Sequence, residues 1–210
     1  MNDQSAAKSD GARPSGGILK WALWGAALFG VAAVLYIIAQ SGFKPAAPTG
    51  PTPLAKSDME KLVVLQDPQP PPTTAFVDSA GKEVRLADFR GKVVVMNAWA
   101  TWCAPCKIEM PTLAKLQAAY AGKPVEVVAI SIDSDLAVDE ARKFIAQNAP
   151  LKFYHDPSMK LPFALKPAAA GMPTTVIYGP DGLERGRVSG EADWSSPAAR
   201  RVIDKVLAES

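Results

Sequence analysis

The chain of 210 residues contains two cysteines, three positions apart inside "VVVMNAWATWCAPCKIEMPTL", residues 93–113. No other stretch narrows the fold as much. Residues 93–100 form an apolar, β-branched run of buried-strand length. From Pro105 onward Leu113, Leu116 and Tyr120 recur at helical spacing, with Pro111 inside the pattern where it is expected to kink the axis. A buried strand therefore turns directly into a helix, and both sulfurs sit at the junction.

The flanking patterns supply a sheet around that strand. "TTAFVDSAGKEVRL" reads as two short strands about a Ser79-Ala80-Gly81 turn, and "VEVVAISI" (125–132) as a second buried strand followed by a helix through Ala141, Phe144 and Ile145. A short strand at "KFY" (152–154) and a Pro- and Ala-rich connector lead to "GMPTTVIYGPDGLERGRV". That segment reads as a strand, a tight turn and a returning strand, and "SSPAARRVIDKVLAE" closes the chain as a helix with Pro197 in its first turn. Alternating strands and helices that end in a hairpin and a helix imply an α/β fold, a central mixed sheet flanked by helices with an N-terminal β-hairpin. Acidic and basic residues are interspersed at a formal net charge of +2, so there is no basic stripe to bind nucleic acid.

Three readings of Cys103 and Cys106 compete. As a structural disulfide the pair closes so small a loop that chain entropy returns little stability. A structural zinc site needs about four ligands, and beyond Cys103 and Cys106 the chain supplies no further cysteine and only one histidine, His155. The redox reading fits the junction: unpaired N–H groups and the helix macrodipole stabilise a thiolate on the first sulfur. Cys103 is then the exposed nucleophile. Cys106, one turn further in, is placed to attack the mixed disulfide, and Pro105, with its fixed φ and no N–H, suits the first helical turn.

The segment 93–113, taken with "LADFRGK" (86–92) and "GMPTT" (171–175), resembles the active-site region of the thioredoxin superfamily. It looks in particular like the TlpA-like branch of membrane-anchored, extracytoplasmic disulfide reductases, and it is similar to the reductases of cytochrome c maturation. The resemblance spans roughly residues 55–210 and implies a thioredoxin-like fold. It matches Trp102, Cys103, Pro105 and Cys106 to the active-site motif and Pro173 to a cis-proline lying against it. The Met172 backbone is thereby brought beside the cysteines to pair with an extended substrate segment, with Trp102 part of the substrate surface. On pattern alone, a trans proline starting a strand is the simpler reading of Pro173.

Two positions depart from relatives of this kind. Cytoplasmic thioredoxins carry a buried aspartate where this chain has Asn97. Glu109, three residues after Cys106, is read as its replacement, an acid of raised pKa that takes the proton from Cys106. The competing reading is a solvated helix glutamate. Haem-pathway reductases usually carry an acid after the cis-proline, where this chain has Thr174, which weakens that pathway assignment.

Upstream, Trp21 to Ala39 is a block of 19 residues without charge, close to the ~20 needed to span a bilayer as a helix. Lys8, Arg13 and Lys20 precede it while only Lys44 follows closely, so the positive-inside rule leaves the N-terminus in the cytoplasm and the remainder outside. The competing reading is a cleaved signal peptide ending near Ala39-Gln40-Ser41, although the block is longer than a signal h-region of about 7 to 15 residues. Eight of the nineteen prolines fall within residues 41–73, the mark of an extended spacer, and Ser57 and Glu60 have capping-box spacing for one short helix within it. The expected organisation is a cytoplasmic N-terminus (1–20), a transmembrane anchor (21–40), a Pro-rich linker with a short helix (41–72) and a thioredoxin-like domain (73–210). The expected location is the inner membrane, single-pass, with that domain in the periplasm.

The Ala-Pro dipeptide lacks the histidine of strongly oxidising relatives, so a reducing couple is expected, nearer thioredoxin's roughly −270 mV than −120 mV. No cofactor beyond the Cys103–Cys106 disulfide and no metal is expected. The expected partners are client proteins with reducible cysteine pairs, in cytochrome oxidase copper-site assembly or cytochrome c biogenesis. The resemblance adds a transmembrane thiol-electron donor. The rival from another class is a Cu(I)-binding metallochaperone of thioredoxin-like fold, its two thiolates joined by Met110, Met172 or His155. Peroxidase chemistry would require a Pro-x-x-x-Thr-x-x-Cys context, which Cys103 lacks.

Overall fold

The computed structural model describes residues 58–209. The apolar block Trp21–Ala39 and the linker through Ser57 lie outside the described residues, and no helix among the described residues is long and apolar enough to cross a membrane. Seven strands form one mixed sheet: β1 (Phe76–Asp78), β2 (Glu83–Val84), β3 (Val93–Trp99), β4 (Val125–Ser131), β5 (Tyr154–His155), β6 (Thr174–Tyr178) and β7 (Glu184–Ser189). Their order is β2-β1-β5-β4-β3-β6-β7. Among the described residues four helices accompany them: α1 (Ala104–Ala119), α2 (Val138–Ala146), α3 (Lys160–Ala164) and α4 (Pro197–Leu207).

All seven residues of β3 are buried because it has neighbours on both edges and cover on both faces. β4 pairs with it in parallel, from Val93 opposite Val125 to Trp99 opposite Ser131, and β6 pairs antiparallel, with Asn97 opposite Thr175. The strand's period of two then sorts its side chains. Val93, Val95 and Trp99 join one apolar cluster with α1, α2 and α4, whereas Val94, Met96 and Ala98 join a second with Leu161 and Leu165 from around α3. Asn97, between Val95 and Trp99, shares the face of the first cluster. Helical cover is thus unequal, since the second face is closed by one short helix and by the 3-10 turn Leu86–Phe89.

Local chemistry explains the connections. The β1–β2 turn is closed by Asp78, whose Oδ1 accepts from the backbone N–H groups of Ala80 and Lys82. Ser196 caps α4 by accepting from the Ala199 N–H at 3.1 Å, with Pro197 as the first helical residue. The short strand expected at 152–154 is displaced to Tyr154–His155, and Lys152, just ahead of it, pairs with Glu126 at 2.6 Å.

The described part of the presumed spacer is not free of the domain. Residues Asp58–Lys61 form a 3-10 turn in place of the short helix read from the capping-box spacing, and the chain then runs along β7. Val63 exchanges both backbone hydrogen bonds with Arg187, at 2.9 Å each, and Gln69 O accepts from the Glu184 N–H at 3.0 Å. An edge strand offers unpaired N–H and C=O groups, and this segment takes up part of them. Gly186 permits the approach: a Cβ there would stand 3.0 Å from Leu62 Cδ1 and 3.1 Å from Val63 O.

Candidate functional site

At the C-terminal end of β3, residues Ala100–Trp102 form the loop that delivers Cys103 to the start of α1. That loop is tied down by Asp133, just past β4, whose carboxylate accepts from the Thr101 N–H at 3.0 and 3.1 Å, from Thr101 Oγ1 at 2.7 Å and from Ser131 Oγ at 2.9 Å. Cys103 is the N-cap of α1, and its Sγ accepts from the Cys106 N–H at 3.3 Å. Pro105 lies in the first turn, where no N–H is missed. Helix α1 continues through Pro111 to Ala119.

Cys103 and Cys106 are joined as a disulfide, with their Cα atoms 5.3 Å apart. The expectation of an exposed nucleophile is corrected in degree: Cys103 is the more accessible sulfur, but at 5% against 0% for Cys106. Trp102 is 64% exposed, the opposite of Trp99, which is fully buried and packs on Phe144 at 5.4 Å between ring centroids.

Met172 and Pro173 approach from β6. The last pair along that ladder is Ala98 with Thr174, so Pro173 stands across from the Trp99 end of β3, where the active-site loop begins. The Met172–Pro173 peptide bond is cis. Thr174 Oγ1 donates to Gly171 O at 2.7 Å, and Pro173 O accepts from the Gly190 N–H at 2.8 Å. Arg187, paired with Glu184 at 2.7 Å, also donates to the carbonyls of Lys166 and Pro167, which holds the connector ahead of Pro173 against the sheet.

Glu109 is not a solvated glutamate: it has no exposed surface. Its Oε1 accepts from Asn97 Nδ2 at 2.6 Å, and its Oε2 accepts from the Ala192 N–H at 3.0 Å and from Trp194 Nε1 at 3.3 Å. Burial pushes its pKa up to about 8, against the opposing pull of these three donors and with help from the charge of Glu191. An acid of this kind, one turn beyond Cys106, is protonated at neutral pH and poised to exchange its proton above it. Asn97, which the resemblance sets against the aspartate of cytoplasmic thioredoxins, is hydrogen-bonded to Glu109 on α1.

Residues missed from sequence are those contributed from a distance. Ala192 and Trp194 lie between β7 and α4, Asp133 lies past β4, and Thr175 Oγ1 accepts from Asn97 Nδ2 at 2.9 Å. Only the last had a usable signal, because a threonine directly opposite a buried asparagine in an antiparallel ladder shares its face. His155, weighed as a copper ligand, is buried and donates from Nε2 to Asp133 O at 2.8 Å. Among the described residues no group of three or more His, Cys, Asp or Glu is placed to hold a metal ion.

The pattern of the Redoxin family matches residues 66–188, more than half of the chain. The chain belongs to the Redoxin family. Its Redoxin region is similar to the thiol-disulfide oxidoreductase ResA of Bacillus subtilis, 33% identical over 112 residues, which cover 53% of this chain and 60% of that protein. The same-named protein of Oceanobacillus iheyensis is 40% identical over 100 residues, covering 47% of this chain and 50% of that one. The match thus spans between half and two thirds of the length of these curated relatives. A solved structure from Chlorobium tepidum, provisionally named thiol:disulfide interchange protein DsbE, superposes with a TM-score of 0.60 at 30% identity, covering 68% of this chain and 99% of that one. The Redoxin domain is therefore a thioredoxin-like α/β fold with a mixed sheet flanked by helices, a TlpA-like relative of ResA with a Cys-x-x-Cys disulfide at its centre.

Proposed function

We propose that the chain is a thiol-disulfide oxidoreductase that reduces cysteine pairs of client proteins outside the cytoplasm, from a domain anchored by the apolar block Trp21–Ala39. The observation that carries this reading is a Cys-x-x-Cys disulfide at a helix N-terminus with a fully buried carboxyl group one turn beyond it. In the reduced state the Cys103 thiolate attacks a client disulfide, forming a mixed disulfide and releasing one client thiolate, which takes up a proton. Cys106 then gives its proton to the Glu109 carboxylate and attacks Cys103 Sγ. The second client sulfur leaves as a thiolate, and the Cys103–Cys106 disulfide of the structure is formed. Two electrons have passed to the client, so a dithiol donor must return two, and a transmembrane thiol-electron transporter is the class that meets this need.

Trp102 and the Met172–Pro173 backbone are the surfaces that receive the client, the first because it is exposed beside the disulfide, the second because the ladder places it across from the active-site loop. The names and similarity of the ResA proteins support this chemistry. We place its clients in cytochrome oxidase copper-site assembly or cytochrome c biogenesis, following the resemblance of residues 93–113 to the TlpA-like branch. Cys106→Ser in native membranes leaves the client attached to Cys103. Purified adducts bearing Cys-x-x-Cys-His segments assign the second pathway, and adducts with a copper subunit or its metallochaperone assign the first. Recovery of no disulfide-linked client overturns the reading.

A further inference from the structure

Every hydrogen-bond partner of the Glu109 carboxyl group is an N–H donor: Asn97 Nδ2 on Oε1, and the Ala192 N–H and Trp194 Nε1 on Oε2. That set suits a carboxylate. A protonated carboxyl group, however, must itself find an acceptor. Burial makes the protonated form the prevailing one below about pH 8. A backbone N–H and an indole N–H can only donate, so Oε2 cannot carry the proton against its present partners. Oε1 touches Asn97, and a side-chain amide has an acceptor at its other end. That atom, Asn97 Oδ1, is buried and has no hydrogen-bond partner. Nδ2 also bonds to Thr175 Oγ1, and a hydroxyl donates as readily as it accepts.

We propose that Asn97 is a positioning residue for the proton on Glu109, its side-chain amide turning end for end as that proton arrives and leaves. With Glu109 ionised, Nδ2 donates to Oε1 and to Thr175 Oγ1, the arrangement in the structure. With Glu109 protonated, Oε1–H donates to Asn97 Oδ1 and the Thr175 hydroxyl donates to the same oxygen. Without the turn, the acid proton and an amide hydrogen would meet across a contact of 2.6 Å. The titratable groups around Glu109 are Glu191, whose charge acts in the same direction as burial, and Cys106 one turn back on α1. The inference deepens the proposed mechanism and rests on its assignment of Glu109 as the acceptor of the Cys106 proton.

The oxidised full-length protein in detergent micelles isolates the effect, because neither cysteine titrates in a disulfide. The chain has three asparagines, Asn2, Asn97 and Asn148, so selective 15N-asparagine labelling gives three side-chain amides to follow. The Asn97 pair is expected to titrate with one inflection near pH 8, a hydrogen moving downfield as Nδ2 takes up the carboxylate, and Glu109→Gln abolishes the inflection. An Asn97 amide that stays flat while 13C spectra show the Glu109 carboxyl titrating overturns the proposal. In the reduced enzyme, Asn97→Leu removes the amide from both forms of Glu109, and because the hydrogen bond to the charged form is the stronger, the Glu109-dependent inflection of thiol reactivity moves upward by up to about one pH unit. An inflection moved downward by Asn97→Leu also overturns it. The two assignments fail separately, since Glu109→Gln with unchanged thiol kinetics overturns the acceptor role alone.

Discussion

A carboxylic acid with no exposed surface and a pKa near 8 leaves its mark on stability as well as on reactivity. Between the ordinary glutamate value of 4.5 and about 8, folded Glu109 holds a proton that the unfolded chain has released. The folded state then binds more protons than the unfolded one, so stability falls as pH rises across that window, by about 1.4 kcal/mol per pH unit at its steepest. Denaturant titrations of the oxidised protein are expected to show this decline, and Glu109→Gln to lack it. Equal slopes in the two proteins contradict the assignment of Glu109 as a buried acid. The sequence placed Cys103, Pro105, Cys106 and Glu109 together because they lie within two helical turns, where spacing alone brings residues near one another. The full burial that raises its pKa was less legible, for the contacts that enclose the carboxyl group, and whose hydrogen bonds oppose the rise, sit 83 and 85 residues downstream at Ala192 and Trp194, and no local pattern announces a fold that returns there.

Among the elements, the loop from β3 to α1 depends on a residue of neither. Asp133 holds Thr101 by its N–H and its hydroxyl. Asp133→Ala leaves buried donors unpaired and is expected to cost on the order of 1 to 3 kcal/mol in denaturant titrations. Faster alkylation of the reduced Cys103 is expected with it, since the loop that delivers this buried residue to the helix start loosens. The segment along β7 offers a second test. Gly186→Val brings side-chain atoms against Leu62 and Val63, and it is expected to release residues 62–69 to rapid hydrogen exchange and to raise self-association through the uncovered edge. Long runs such as 93–99 and 125–131 are readable because burial on both faces favours mostly apolar residues, interrupted only by Asn97 in the first and by Glu126 and Ser131 in the second. The segment 58–72 was read as a spacer because its prolines argue against regular structure, and proline content says nothing about whether an extended chain has a sheet edge to lie on.

At the scale of the whole molecule, direction of electron flow is the open quantity that geometry constrains. The Redoxin domain offers Cys103 a helix N-terminus, with no histidine between the cysteines to add charge. Equilibration of the full-length protein with glutathione or dithiothreitol is expected to give a potential below about −180 mV, nearer thioredoxin's roughly −270 mV. A value above that bound would make the chain an oxidant of its clients. In the same measurement Glu109→Gln is expected to weaken the pH dependence of the potential near pH 8, where the acid titrates.

The strand order has a consequence for how the molecule comes into being. β3 lies between β4 and β6, both of which follow it in the chain, and two of the three donors to Glu109, Ala192 and Trp194, come after β7. A nascent chain emerging N-terminus first therefore presents its cysteine pair well before the pocket of the acid exists. Until Trp194 has arrived, Glu109 is an ordinary ionised glutamate and the two thiols are ordinary thiols. The centre is thus switched on only once residues 192–194 have been made, and a chain cut short of residue 192 would keep the motif while lacking the proton chemistry built around it.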